Sequence, residues 1–460
     1  MSSNQAIIQW VENGQTRAAQ WRTESNAVRE ADLLRGVSPA PTFSSIVVVD
    51  DQTTADAAFR LARDGKGLLW RGDFHNARQL LQAMARRVDR QRPAKLPQPT
   101  SMREAFNQHR AAQGQRADIL NRLLIPFEAD YHIPLRRAPD VRQACSAAYG
   151  ELSAPESSPL FVAPLRELQG IIGAHEWRKK GVPVAALNAR IHPHYGVFAP
   201  VRGEYVGLVN EAPLPAALND LSLAFDIGTG TGVLAAVLAR RGIARVIATD
   251  QNPRALACAV DNITRLGLSG QVTVMPADLF PAGRAPLIVC NPPWVPAQPN
   301  SALDEAIFDP DSRMLRGFLA GLSAHLTPGG EGWLVLSDIA EHLGLRTRDE
   351  LLAMIATAGL TIAGRMDVRP SHKRVSDTSD PLHAARGRSD LALAIGRAQT
   401  LLRRRVLRRI FGYSPSEKWT CYAASHQRRL FAAAIIRYGI CAHDRGNCEC
   451  MISQPCQNDE

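Results

Sequence analysis

The sequence predicts an α/β chain: a doubly wound, mostly parallel sheet over residues 221–386, preceded by a mainly helical accessory region over residues 1–150. Three observations carry this. From Leu221 onward, short apolar runs alternate with helix-length segments through short connections. Gly and Pro stand where those helices must stop or start. Hydrophobic residues make up 45% of the 460 and charged residues 21%, which excludes a wholly disordered chain and a fibrous repeat.

Residues 1–90 read as mostly helical, with one strand-like run at Ser45–Asp50 and an amphipathic helix region at Leu68–Arg87. Pro93, Pro97 and Pro99 make Arg90–Thr100 a linker, and residues 101–150 read as helical again. Ser153–Pro164 is a second Pro/Ser-rich break, so residues 151–220 are expected to be a linker and hairpin leading into the sheet. The sheet region then runs in order. Leu221–Asp226 is a strand and Gly232–Arg241 a helix ended by Gly242. Arg245–Asp250 is a strand, and Pro253–Leu266 a helix with Pro in its first turn and Gly267 as its stop. Val272–Met275 and Leu287–Cys290 are strands, Arg313–Leu326 a helix, and Gly332–Leu336 a strand after the Pro328-Gly329-Gly330 turn. Arg348–Ala358 is a helix and Thr361–Val368 a sixth strand. In such sheets ligands lie beyond the carboxyl ends of the strands.

No apolar run approaches the ~18 residues of a membrane span. The start, Met1 to Glu12, has no basic segment followed by an apolar core, so a cytoplasmic chain without a secretory signal is expected. The net charge of +10 is uneven: +6 over residues 1–150, −3 over 151–385 and +7 over 386–460. The basic flanks read as solvated Arg-rich surface, because no aromatic residues interleave the Arg clusters; attraction of a polyanion is the other reading. Cys145, Cys258, Cys290 and Cys421 are far apart and read as buried or incidental thiols.

The first strand of the sheet ends in Asp226-Ile227-Gly228-Thr229-Gly230-Thr231-Gly232. Three alternate glycines let a backbone turn sharply and approach a ligand. Gly230-x-Gly232-x-x-Ala235 also fits a loose dinucleotide-binding loop. However, Asp226 precedes the glycines, where it would repel a pyrophosphate and favour a cationic amino group. Asp250, 18 residues after Gly232, can accept both hydroxyls of a ribose. Ala277-Asp278-Leu279-Phe280 could hold an adenine amino group and its face. In this order and at these spacings, the segments resemble the motifs of class I S-adenosylmethionine-dependent methyltransferases. The resemblance implies a Rossmann-like fold, S-adenosyl-L-methionine as cofactor, and Asp226, Gly228, Thr229, Gly230, Gly232, Asp250, Asp278 and Leu279 as cofactor-binding residues.

The fourth strand ends in Asn291-Pro292-Pro293-Trp294. This resembles the Asn/Asp-Pro-Pro-aromatic motif of amino-group methyltransferases, both adenine N6 enzymes and release-factor glutamine enzymes. An amide or exocyclic amine is a weak nucleophile because its lone pair is delocalised. Two acceptors, the Asn291 side-chain oxygen and the Pro292 carbonyl, can take its two N–H groups and free that lone pair; no metal or strong base is required. The prolines stiffen the loop, and Trp294 offers a flat face. Asn291, Pro292 and Trp294 are therefore the expected catalytic residues. Trp replaces the commoner Tyr or Phe of the glutamine enzymes and leaves two acceptor classes open: a nucleobase in RNA or DNA, or a glutamine in a translation protein. A non-catalytic binding protein on this fold and an NAD-binding protein are the alternatives.

His192-Pro193-His194-Tyr195-Gly196-Val197-Phe198-Ala199-Pro200 resembles the hairpin that precedes the catalytic domain in the "methyltransferase small" group. His192 and His194 have no third ligand nearby in sequence and are expected to be structural rather than metal-binding. A closing seventh strand is due after Arg386. Ser389–Ile395 reads as too Ala/Leu-rich for it, and residues 387–460 are expected to be a basic, Cys-rich tail. Three readings of that tail stand: a basic helix at Leu401–Phe411 that touches RNA or anionic lipid, a metal site at Cys441, Cys448, Cys450 and Cys456, or the product of a shifted reading frame.

Overall fold

A computed structural model describes residues 7–21, 43–90, 97–151, 160–201, 203–218, 223–299, 302–369 and 382–398. These residues build two sheets and a small hairpin.

The first sheet contains β1 (Ile7–Glu12), β2 (Gln15–Trp21), β3 (Ile46–Val49), β4 (Gly67–Trp70), β5 (Leu123–Phe127) and β6 (Phe161–Pro164), in the order β1-β2-β6-β5-β4-β3. The expectation of a mostly helical start with one strand is corrected here. Four-residue runs such as Gly67–Trp70 are buried at every position. They carry no period-2 alternation, so a short apolar run reads as part of a helix until a partner strand exists. Helices do cover one face: Ala55–Arg63, Phe74–Arg90, Met102–Leu120 and Leu165–Lys180. Trp70, Phe127 and Phe161 lie in the core beneath them, packed with Met84 of the helix Phe74–Arg90. The expected break at residue 150 also moves, because β6 and the helix Leu165–Lys180 belong to this first core.

The hairpin of β7 (Val182–Val184) and β8 (Ala189–Ile191) follows. His192–Pro200, expected to form the hairpin, comes after it and has no regular structure of its own.

The second sheet contains β9 (Leu223–Ile227), β10 (Arg245–Asp250), β11 (Val272–Pro276), β12 (Ala285–Cys290), β13 (Leu326–Ser337), β14 (Leu360–Val368) and β15 (Leu391–Ala398). Their order is β11-β10-β9-β12-β13-β15-β14, with β15 antiparallel to both neighbours and the other pairings parallel. This is the expected doubly wound sheet. Parallel strands covered on both faces must be apolar throughout, and all six residues of β12 are buried. Asn252 caps the helix Pro253–Arg265 by accepting from the Arg254 amide at 2.9 Å, as the Asn-Pro start predicts.

The expectation that the chain leaves the domain near Gly387 is corrected by β15. Leu391 and Leu393 are buried and Ile395 is half-buried against the core, while Trp333 of β13 faces Ile395 in register. Alternate Leu, Leu and Ile bury one face at period 2, although their Ala neighbours lower the intrinsic strand preference. Residues 399–460, with the proposed basic helix and the terminal cysteines, lie outside the described residues, as does Cys421. Cys145, Cys258 and Cys290 are buried free thiols, as expected; burial pushes the Cys145 and Cys258 thiols up to about 12. Among the described residues no helix is long and apolar enough to cross a membrane.

Candidate active site at the carboxyl edge of the second sheet

Ile227 pairs with Thr249 of β10 on one side and with Cys290 of β12 on the other. Gly228, Asp250 and Asn291 are the next residues on three neighbouring strands, so they leave the sheet at one level. Asp250 pairs with Pro276 of β11, which brings Asp278 two residues beyond the same edge. A cavity of about 2950 Å³ lies over this edge. Gly228, Thr229, Gly230, Asp250, Asp278, Leu279, Asn291, Pro292 and Trp294 all line it.

The glycine loop turns tightly. The amides of Gly228 and Thr229 both donate to the Thr249 carbonyl at 2.9 Å. Gly230 has φ +54°, and a Cβ there would meet no atom within 4 Å. Its missing side chain therefore leaves open the space above the loop. Gly228 has φ +71°, and a Cβ would come within 2.4 Å of the Met314 methyl. Gly232 is the N-cap of the helix Val233–Arg240, whose amino end faces the loop. Asp250 braces the turn: its Oδ2 accepts from the Gly230 amide at 3.0 Å and its Oδ1 from the Asn252 amide at 2.9 Å. Burial raises its pKa, and these amides oppose the shift.

Asp226 and Phe280 occupy other places than the sequence suggests. Asp226 is 1% exposed and does not line the cavity. Its Oδ2 accepts from the Thr229 hydroxyl at 2.6 Å and the Ala235 amide at 3.0 Å, so it ties the loop to the helix behind it. The reading that it meets a cationic amino group directly is corrected: a strand-end carboxylate one residue further back points under the loop. Burial pushes its carboxyl up to about 6, against the pull of those two donors. The Phe280 ring stacks on His325 at 4.3 Å and on Phe318 at 5.8 Å, so it does not offer the cavity a face. Leu279 instead lines the cavity at φ +72°, held by the Thr249 hydroxyl, which donates to its carbonyl at 2.6 Å.

At the other end, the Trp294 indole N–H donates to Asn291 Oδ1 at 2.9 Å. The Asn291 amide is thereby oriented, with one oxygen lone pair used and one left for an incoming donor. A Phe in place of Trp294 could not make this bond. Trp294 is wedged among three apolar clusters, including one with Val295, Leu343 and Phe106. Phe106 belongs to the helix Met102–Leu120 of the first sheet's cover, which no local motif marks as part of the site. Arg110 of the same helix lies 4.1 Å over the Phe308 ring and donates to the Gln298 carbonyl at 2.6 Å. The loop between is closed by a bridge of Val295 with Phe308. Trp177, Gly173 and Gly170 of the helix Leu165–Lys180 extend the cavity lining. His192 Nδ1 meets the Arg178 carbonyl at 2.7 Å and His194 Nε2 meets Asp261 at 3.2 Å, so both rings brace the entry segment.

Residues 208–348 match the methyltransferase small domain. The match begins inside the helix Glu204–Glu211 and takes in the glycine loop and the Asn291–Trp294 motif. The chain is 36% identical over 164 residues to the release factor glutamine methyltransferase of Cereibacter sphaeroides, covering 34% of this chain and 55% of that protein. It is 30% identical over 218 residues to the ribosomal protein L11 methyltransferase of Sorangium cellulosum, covering 43% of this chain and 62% of that protein. A ribosomal protein uL3 glutamine methyltransferase of Bordetella pertussis is 34% identical over 122 residues, 25% of this chain and 41% of that protein. The chain therefore spans about half the length of these curated relatives, and residues outside 208–348 lie beyond the domain match.

Proposed function

We propose that this chain transfers a methyl group from S-adenosylmethionine to a planar amino nitrogen, and that the acceptor is a glutamine carboxamide in a protein of the translation apparatus. The shared level at which Gly228, Asp250 and Asn291 leave the sheet supports the reading most strongly. It sets a glycine turn, a carboxylate and an amine-orienting amide around one cavity. The names of the relatives support a protein glutamine over a nucleobase.

The lining fits such a donor. Gly230 leaves open the space over the loop, Asp250 suits a ribose diol, and Asp278 with Leu279 suits an adenine edge and face. When bound, the donor supplies an electrophilic methyl on a sulfonium. Asn291 Oδ1 and the Pro292 carbonyl take the two N–H groups of the acceptor amide and hold its nitrogen with the lone pair exposed. Trp294 holds the Asn291 amide in that orientation and walls the acceptor end. Their contribution is positional, since an amide nitrogen gains most from being held at near-attack distance.

Methyl-labelled S-adenosylmethionine, incubated with the protein and fractionated cell extract, tests this. Label is expected in protease-sensitive, nuclease-resistant material. Nuclease-sensitive label would overturn the acceptor class, and absence of label would overturn the activity. Asn291→Ala is expected to lose ~10²–10³ in turnover with S-adenosylhomocysteine affinity within a few-fold. Normal turnover would remove the role assigned to it.

A further inference from the structure

Arg346 sits between the short helix Ile339–His342 and the helix Arg348–Thr357, is 4% exposed and lines the cavity. Its Nη1 donates to Ser312 Oγ at 3.3 Å, while its Nε and Nη2 are buried and meet no hydrogen-bond partner among the described residues. Those two nitrogens form one edge of the guanidinium plane. The same edge grips carboxylates elsewhere in this molecule. Arg71 holds Glu12 with both bonds at 2.8 Å, and Arg87 holds Asp56 at 2.6 and 3.1 Å. Arg116 holds Asp89 at 2.7 and 3.2 Å.

The acids near Arg346 are engaged by other groups. Asp309 accepts the amides of Met314 at 3.0 Å and Leu315 at 3.1 Å. Glu341 accepts from Arg348 at 3.0 Å, and Glu350 accepts from the Thr347 amide at 2.7 Å. A desolvated guanidinium edge without a partner destabilises a fold, and a planar two-oxygen anion would relieve that cost.

We propose that Arg346 is an acceptor-binding residue whose Nε–H and Nη2–H pair takes a carboxylate carried by the acceptor polypeptide. This rests on the reading of a protein acceptor given above. Its position in the fold assigns it to the acceptor end. It follows β13, which flanks β12 on the side away from β9 and β10, where the glycine loop and Asp250 lie. Ser312 donates its amide to the Asp309 carbonyl at 2.9 Å, and Asp309 donates its own to the carbonyl of Val295 at 2.8 Å. Val295 directly follows Trp294, so three short links join Arg346 to the acceptor motif.

Acetate is the probe. The full chain, labelled at arginine Nε and saturated with S-adenosylhomocysteine, is titrated with acetate while the Nε–H resonance lost in Arg346→Gln is followed. A saturable shift of that resonance is expected, and an unchanged S-adenosylhomocysteine affinity in Arg346→Gln. No saturable shift would overturn the proposal. So would an Arg346→Gln affinity for S-adenosylhomocysteine about tenfold weaker, because the carboxylate would then be the donor's own. Arg346→Met separates binding from structure: its melting temperature is expected to equal or exceed the wild type's, and a clear fall would make Arg346 a structural residue and overturn the proposal. If S-adenosylhomocysteine fails to bind the wild type, the methyltransferase reading fails, and an acetate titration without it still decides the carboxylate site.

Discussion

Asp226 illustrates how one carboxylate links the loop's shape to stability. Buried beneath the turn, with a carboxyl pushed up to about 6 from the ordinary 3.8, it holds its proton in the folded chain over a range where the unfolded chain has lost it. The folded state then binds more protons than the unfolded state from about pH 4 to about pH 6, so stability falls as pH rises through that window. Each tenfold change in proton affinity is worth about 1.4 kcal/mol, which makes the loss at neutral pH about 3 kcal/mol. Asp226→Asn keeps an oxygen for the Thr229 hydroxyl and the Ala235 amide and has no proton to release. Melting temperatures measured from pH 4 to 7 are expected to fall for the wild type relative to Asp226→Asn. Parallel curves would show that Asp226 stays ionised throughout. The residue type and place were legible in the Asp-x-Gly-x-Gly-x-Gly run. Its direction was not, because burial of a strand-end side chain depends on which helix packs behind the turn. Trp294 shows the same division: its flat face was legible from residue type alone, whereas its indole N–H bond to Asn291 required both side chains in place.

The helix Met102–Leu120 carries the longest-range consequence of any single element. Its residues fall within the stretch 101–150 read as helical, and Ser101 caps it by accepting from the Glu104 amide at 3.1 Å. Nothing in its sequence tells that Phe106 and Arg110 face a loop nearly two hundred positions later. Arg103 adds a bond to the Gly344 carbonyl at 2.7 Å, so the helix touches both segments that flank the acceptor end. Removing Arg110 takes away a ring contact and a hydrogen bond from the 295–308 loop, together worth roughly 1–3 kcal/mol. Arg110→Ala is expected to lower methyl incorporation at limiting acceptor by about tenfold while S-adenosylhomocysteine affinity stays unchanged. A matched loss of both would mean that the helix supports the whole domain rather than the acceptor end. β15 is the complementary case. Its Leu-Ala-Leu-Ala-Ile run has the alternation of a strand but the composition of a helix, and only its slot between β13 and β14 decides between them.

At the scale of the whole chain, every strand described lies between Ile7 and Ala398. Ending the chain at Arg386 would remove β15 and separate β14 from the rest of the sheet, exposing two edges. That truncation is expected to abolish cooperative unfolding, whereas ending it at Gln399 is expected to keep the melting transition. Equal stability of the two would refute the central place of β15. The order of the strands from β9 to β14 and of the four long helices between them, and the place of the glycine turn, Asp250 and Asn291 at strand ends, were determined by the sequence alone. Each depends on local chemistry: apolar runs of strand length, a glycine turn after a strand, capping residues at helix starts. The short helices and the start of β13 at Leu326, ahead of the expected Pro328-Gly329-Gly330 turn, were not so determined. The six-stranded first sheet, the direction of Asp226, the stacking of Phe280 on His325, the reach of Phe106 and Arg110 and the unpartnered edge of Arg346 were decided only by the tertiary structure. These depend on pairings between distant segments, and the burial that fixes each side chain exists only once those segments have met.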